Sequence, residues 1–220
     1  MEKALIIGAS GGIGSAFAGE FEARGVQVDC LSRTRDGFNV TDAASVAAHL
    51  TGRGSYDRVI IATGALEIAG AAPEKTIKRL DAVAMADQFA LNAIGPALVL
   101  SHAHELLPRD RRSVLAVLSA RVGSIADNRL GGWISYRAAK AAVNQIVRTA
   151  SIELARSHRQ AAVVALHPGT VATRFTEKYL DRHQSVPANE AARNLIDVID
   201  GLKAAQTGQF YDYSGASVPW

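Results

Sequence analysis

Two hydrophobic periods alternate along this chain. Short continuous apolar runs fall at 3–8, 26–31, 58–62, 113–119, 161–167 and 208–213, with a shorter strand candidate near 37–40. Runs of this length without a polar face suit strands buried on both sides. Between them, apolar residues recur at helical spacing over 13–24, 42–50, 81–106, 134–157 and 188–203. Ile13, Phe17 and Phe21 share one stripe of the first helix, and Gly25 sits where that helix would stop. Thr41 and Pro187 read as helix starts. Strict alternation of strand and helix predicts the α/β class. The expected architecture is a doubly wound, mostly parallel sheet of about seven strands, with right-handed crossovers and helices on both faces. No linker, repeat or low-complexity segment divides the chain, so residues 1–220 are expected to form one domain. Ligands in such sheets bind outside the carboxyl ends of the strands. Gly8, Ser32, Thr63, Ser119 and His167 all fall at predicted strand ends, so their loops should line one crevice.

The first strand runs into Gly8-Ala9-Ser10-Gly11-Gly12-Ile13-Gly14 and then directly into a helix. Gly8 permits a tight turn, Gly12 lets backbone approach a pyrophosphate, and Gly14 lets the helix pack close to the strand. The helix start offers free N–H groups and a positive dipole end to phosphates. In the helix at 134–157, Tyr136 and Lys140 are four apart and so lie one above the other on one face. A cation beside a phenol favours phenolate and should lower the Tyr136 pKa toward the range of a general acid/base. Pro96 lies four residues after Asn92 and has no N–H, so it cannot bond the Asn92 carbonyl, which is left to accept from water.

Together these residues resemble the short-chain dehydrogenase/reductase family. The spacing Gly8-x3-Gly12-x-Gly14 and the pair Tyr136-x3-Lys140 match its motifs. Asn92, the strand end Leu118-Ser119-Ala120, and Pro168-Gly169-Thr170-Val171-Ala172-Thr173 follow in the family's order. Residues 118–145 resemble the small branch that holds carbonyl reductases and the C-factor signalling protein. The resemblance implies an NADP(H)-dependent oxidoreductase of Rossmann type acting on a small carbonyl or alcohol. Its alternative is a signalling protein in which NADP binding matters more than turnover. It makes Tyr136 the general acid/base and lets Lys140 hold the nicotinamide ribose. It gives the Asn92 main chain a water in the proton relay, and Val171 and Thr173 the carboxamide. Gly8, Ser10, Gly11, Gly12, Ile13, Gly14, Thr63, Gly64, Pro168 and Gly169 are the further cofactor contacts it implies. Relatives usually carry two serines where this chain has Ser119 and Ala120, so Ser119, Ser124 or no serine orients the carbonyl. Ile7 and Ile61-Ala62-Thr63-Gly64 replace polar residues that support each other in relatives, and losing both partners together avoids an unpaired buried group. Ser32 and Arg33 stand at the second strand's end, with Arg35 nearby and no acidic residue between Cys30 and Arg35. Arg33 can pair a 2′-phosphate, so NADP is preferred over NAD. The segment Phe175 to Leu180 is expected to cover the substrate. Family members pair through their long helices, so a homodimer or homotetramer is expected.

Composition narrows the alternatives. With 220 residues, 48% of them hydrophobic, the chain can bury one substantial core. Net charge is +3, and its densest basic cluster, Arg109 to Arg112, contains Asp110 and follows Pro108. That reads as an exposed turn, and no nucleic-acid partner is expected. Cys30 is the single cysteine, expected as a buried thiol, and no disulfide can form within the chain. His102 and His104 are two apart and point to different sides of a helix, so no metal is expected. The N-terminus reaches its glycine turn too soon for a secretory signal. No uninterrupted apolar stretch approaches the ~20 residues that span a bilayer. The expectation is a cytoplasmic protein without a membrane partner.

Overall fold

The apolar runs become strands because a central parallel sheet leaves them no solvent face. A computed structural model describes residues 1–173 and 185–220. In it β1 (Lys3–Ile7) leads to α1 (Gly12–Ala23), β2 (Gln27–Leu31), the four-residue α2 (Arg33–Asp36), α3 (Ala43–Leu50) and β3 (Arg58–Ile61). A long loop precedes α4 (Ala82–Phe89), a π-helical segment (Ala90–Ile94), α5 (Gly95–Leu100) and α6 (Ala103–Leu106). Next come β4 (Ser113–Leu118), α7 (Ile134–Leu154), β5 (Ala161–His167), β6 (Val171–Ala172), β7 (Val186–Pro187), α8 (Ala188–Gly201) and β8 (Phe210–Asp212). Six strands pair in parallel in the order β2-β1-β3-β4-β5-β8, and β6 pairs with β7 separately. The order reverses direction between β1 and β3, which is the switch point where such sheets open a crevice.

Alternate residues of each strand feed two cores. Ala4 and Ile6 of β1, Ile60, Ala116 and Val164 meet Phe17 and Phe21 of α1 and Leu195, Ile196 and Ile199 of α8. Leu5, Ile7, Val59, Leu115 and Val163 meet Val46 and Leu50 of α3, Val99 of α5, and Val143 and Val147 of α7. The doubly wound fold is therefore as the periodicity predicts.

Two expectations need correction. Among the described residues the main sheet has six strands, close to the expected number, and the segment at 37–40 forms no ladder. Gly37 ends α2 in the left-handed region at φ 69°, and the chain then turns onto α3. The Asn39 N–H donates to Ser45 Oγ at 2.9 Å, and Phe38 meets the His49 ring edge-on at 5.5 Å. Side chains of α3 thus take the place of a neighbouring strand. The helix expected over 81–106 is divided into α4, the π segment, α5 and α6. Within it, Ala82–Leu100 is a 19-residue stretch of mean hydropathy 1.4, long and apolar enough by composition to cross a bilayer. It instead packs on α7 and carries Gln88 and Asn92 buried in the domain, as a core helix does. Arg109 to Arg112 is exposed as expected, yet Arg112 donates to the carbonyls of Ile199, Asp200 and Leu202 and so caps the end of α8.

Candidate functional site

The glycine turn sits where β1, β2 and β3 end. The N–H groups of Gly8 and Ala9 donate to the Leu31 carbonyl at 2.8 and 3.2 Å, tying the turn to β2. Gly8 has φ 93°, and a Cβ there would lie 2.9 Å from the Ala62 carbonyl group. A Cβ on Gly14 would collide with the Gly8 carbonyl oxygen, so the α1 backbone lies directly on the turn. Ser10, Gly11 and Gly12 are exposed and Ile13 half-buried. No acidic residue occupies the first turn of α1, and no side chain caps it. Across the turn, a Cβ on Gly12 would stand 2.7 Å from Thr173 Cγ2. The segment Pro168 to Thr173 is thus brought over the glycine turn, anchored by the β6–β7 pair and by Gly169 against the Tyr213 ring. Thr63 follows β3 with its Oγ1 buried and unbonded, which corrects the expectation that the changed residues at 61–64 leave no unpaired group. The segment Phe175 to Leu180 lies outside the described residues.

Tyr136 and Lys140 meet on α7 as their spacing predicts. Both are buried, and the Lys140 ammonium lies 5.8 Å from the centre of the Tyr136 ring. Lys140 Nζ donates to the Leu118 carbonyl at the end of β4, at 3.0 Å. Burial pushes the Tyr136 phenol above its ordinary range and pulls Lys140 down to about 8. The expected lowering of Tyr136 by Lys140 is therefore corrected. One ammonium N–H goes to a carbonyl and the group stands beside the ring, while the buried site penalises charge on either residue.

Asn92 joins this centre from the π segment. A Cβ on Gly64 would touch Asn92 Oδ1 at 2.7 Å and Lys140 Nζ at 3.5 Å, so the three residues share one spot. The Asn92 side chain is committed. Its Oδ1 accepts from the Ala65 N–H at 3.2 Å, and its Nδ2 donates to the Ala65 carbonyl at 2.9 Å and to Gln88 Oε1 at 2.7 Å. Gln88 Nε2 in turn donates to the Leu66 carbonyl at 2.8 Å. Gln88 escaped the sequence reading, although its i,i+4 spacing to Asn92 was a usable signal.

The serines separate. Ser119 is buried, and its hydroxyl donates to Asn144 Oδ1 at 2.6 Å. Asn144 is four residues beyond Lys140 on the same face of α7, another partner the spacing could have pointed to. Ser124 is also buried, and its Oγ accepts from the Asp127 N–H at 3.1 Å. It follows Gly123, whose Cβ would lie 2.7 Å from the Lys140 carbonyl carbon.

At the end of β2, Ser32 caps α2 by accepting from the Arg35 N–H at 3.3 Å. One helical turn brings Asp36 back onto it. Asp36 Oδ2 accepts from the Ser32 N–H at 2.7 Å and from its hydroxyl at 3.1 Å, and Asp36 pairs with Arg35 at 3.3 Å. An acidic group therefore does reach this strand end, from just beyond the span read in sequence. Arg33 is exposed beside it. Cys30 is half-buried, with its thiol pKa raised by burial.

A profile of the family described as short chain dehydrogenase matches residues 2–184. The chain is 38% identical over 144 residues to the C-signal of Myxococcus xanthus, covering 64% of this chain and 81% of that one. It is 29% identical over the full length of both chains to 1-hydroxy-2-glutathionyl-2-methyl-3-butene dehydrogenase of Rhodococcus sp. (strain AD45). A crystal structure of a short-chain dehydrogenase/reductase of Burkholderia multivorans with bound NADP superposes with a TM-score of 0.79 at 26% identity, covering 100% of this chain and 99% of that one. Motif order, sheet topology and the matched length agree, and this chain belongs to the short chain dehydrogenase family.

Proposed function

We propose that this chain is an NADP-dependent oxidoreductase that interconverts a small carbonyl compound and its alcohol, with Tyr136 as general acid/base. The observation that carries the reading is the burial of Tyr136 and Lys140 together at the carboxyl end of β4, beside Gly64 and Asn92. The residues present fit a dinucleotide. A side chain at Gly12 would meet Thr173 and one at Gly14 the Gly8 carbonyl, so glycine at both positions is what lets the turn stay this tight, and the exposed turn from Ser10 carries no carboxylate. Gly8, Ser10, Gly11, Gly12, Ile13 and Gly14 would hold the pyrophosphate. Ser32 and Arg33 would hold the 2′-phosphate, with Asp36 competing for the Ser32 donors. Thr63 would line the adenosine side, and Gly64, beside Asn92 and Lys140, the nicotinamide ribose. Pro168, Gly169, Val171 and Thr173 would hold the nicotinamide end. When bound, the nicotinamide supplies or accepts the hydride. In reduction, Tyr136 gives its phenolic proton to the carbonyl oxygen as that oxygen gains charge. Its raised pKa keeps the proton on the phenol until then. Lys140 holds the ribose and returns a proton toward Tyr136, and the Asn92 main chain anchors the water that resupplies it. Cytoplasmic placement and assembly as a homodimer or homotetramer complete this reading, on the strength of the family resemblance.

A second reading has its own support. The Ser119 hydroxyl donates to Asn144, Ser124 Oγ accepts from the Asp127 N–H, and Ala120 has no hydroxyl to offer, which speaks for the reading in which no serine orients a carbonyl. The similarity to a protein named C-signal fits a signalling role in which NADP binding outlasts turnover. One experiment separates the two. NADPH oxidation is followed across a panel of aldehydes, ketones and quinones, for wild type and Tyr136→Phe, beside fluorescence titrations with NADPH and NADH. The oxidoreductase reading expects turnover in the wild type, none in the variant, undiminished NADPH binding by the variant, and weaker NADH binding. Tight binding with no turnover anywhere in the panel favours signalling. Absence of binding rejects both.

A further inference from the structure

The helix that carries Tyr136 has no cap of its own. Trp133 stands at its N-cap position without a side-chain cap bond, and its first turn holds no acidic residue. The chain enters through three consecutive residues in the left-handed region: Gly131 at φ 61°, Gly132 at φ 66° and Trp133 at φ 53°. Glycine adopts this freely, but a bulky tryptophan does so only when its surroundings over-determine it. The surroundings here come from the loop after β3. The Trp133 N–H donates to the Glu74 carbonyl at 2.5 Å. The Ser135 N–H donates to Glu74 Oε2 at 3.3 Å, and the Ser135 hydroxyl donates to Glu74 Oε1. A single residue thus secures the strained turn with its main chain and caps the helix with its carboxylate, where the dipole favours a negative charge.

We infer that Glu74 is a positioning residue for the proposed reaction, setting where the first turn of α7 presents Tyr136. This rests on the oxidoreductase reading. Tyr136 follows the capped Ser135 directly, and its ring meets the Trp133 ring edge-on at 6.4 Å. Glu74, Gln88, Ser135 and Tyr136 line one small cavity beside the phenol. The rest of α7 is held by other means. Lys140 bonds the Leu118 carbonyl, Asn144 accepts from Ser119, and Gly123 lies against the Lys140 backbone. In the first turn, Arg137 is a further restraint, through the carbonyls of Gly132 and Val122. Loss of the carboxylate therefore loosens the turn bearing the proton donor and leaves the lysine in place.

The test compares Glu74→Ala, Glu74→Gln and Ser135→Ala in the full chain. It reads kcat, KM, the NADPH dissociation constant and amide hydrogen exchange over 133–139. Glu74→Ala should speed exchange in that segment alone and lower kcat by about 10- to 100-fold, the cost of a misplaced reacting group. NADPH affinity should hold. Glutamine keeps an acceptor for Ser135 and should restore most of kcat. Ser135→Ala, which loses one of the two side-chain bonds, should fall between. Wild-type kcat in Glu74→Ala would overturn the inference, as would a glutamine variant no better than alanine, or exchange raised throughout the chain. A wild type without turnover would overturn the oxidoreductase reading and this inference together. An active wild type with an indifferent Glu74→Ala would overturn this inference alone.

Discussion

At the scale of single residues, spacing located the reactive pair but not its electrostatics. Tyr136 and Lys140 were legible because residues four apart on a helix must share a face. Their ionisation was not, because the sign is set by burial that sequence does not report. Asp36 was missed for a related reason, since one turn of helix folded it back onto Ser32. Glu74 gave no local signal, because its partner Ser135 lies 61 positions away. The buried lysine has a measurable consequence. Its pKa of about 8 in the folded chain lies below the ordinary 10.5. Between those values the unfolded chain binds more protons than the native one, so the lysine's contribution makes stability rise as pH increases from 8 to 10.5. Below pH 8 both states are protonated, and the native state carries the full penalty of a buried ammonium. Lys140→Met should therefore be as stable as the wild type or more so at pH 7, and its stability should rise less between pH 8 and 10.5. Thermal melts of both proteins across that range decide it. A variant that tracks the wild-type pH dependence would show that another group governs the window.

At the scale of elements, existence and type followed from periodicity, and interruptions did not. The strand at 161–167 and the start of the helix at 134 were read to the residue. Four-residue α2 was invisible, because so short a helix has no apolar period. The segment at 37–40 has strand-like burial at Phe38 and Val40, yet Gly37 and the α3 side chains settled its path. The long apolar pattern over 81–106 hid a change of winding. Pro96 was visible as a residue with no N–H for the Asn92 carbonyl, but sequence could not show that the helix would answer with a π segment just before it. That answer bears on Asn92, whose side chain is fixed on Ala65 while its main chain lies in the widened turn. Pro96→Ala supplies the missing N–H, which can capture the Asn92 carbonyl and draw the segment toward regular α-helix. If that carbonyl anchors the relay water, kcat should fall although no relay side chain changes. Stability should hold or rise, since alanine suits a helix interior far better than proline. The measurement is kcat with melting temperature, on a substrate for which proton transfer limits the wild type. A stable variant with undiminished kcat would leave the π segment without a catalytic part.

At the scale of the whole molecule, the parallel sheet gives the two ends of its strands different work. The residues placed in the candidate site lie at or beyond carboxyl ends of strands, at the close of α4 and in the π segment, or on the first half of α7. The amino ends are closed by charge. Arg58, at the start of β3, donates to Asp200 of α8 and to Glu2 at 2.8 Å each, and Arg24, just after α1, reaches Asp197 at 2.8 Å and Asp200 at 3.2 Å. The Arg58 side chain is only 8% exposed, whereas Asp200 is 36% exposed, so the carboxylate keeps contact with water. This division follows from topology. One-way strands put all the βα loops on one side, and that side was legible from the motifs. The ion cluster was not, because its members come from the end cap of α1, from α8 and β3, and from the residue before β1. Arg58→Met keeps the buried stem and removes the head. Asp200 retains Arg24 and solvent, so the loss should be about 1–2 kcal/mol, below that of a fully buried pair. For a chain of this size that is a melting temperature lower by roughly 2–8 °C. The strand end is far from the chemistry: six-residue β4 alone spans roughly 17–20 Å. Perturbations that distant with no shared partner act independently. At 25 °C, Arg58→Met should therefore match wild type in NADPH affinity and kcat while melting earlier. A drop in kcat at a temperature where the variant is fully folded would mean that the amino-end charge cluster helps to set the geometry around Tyr136.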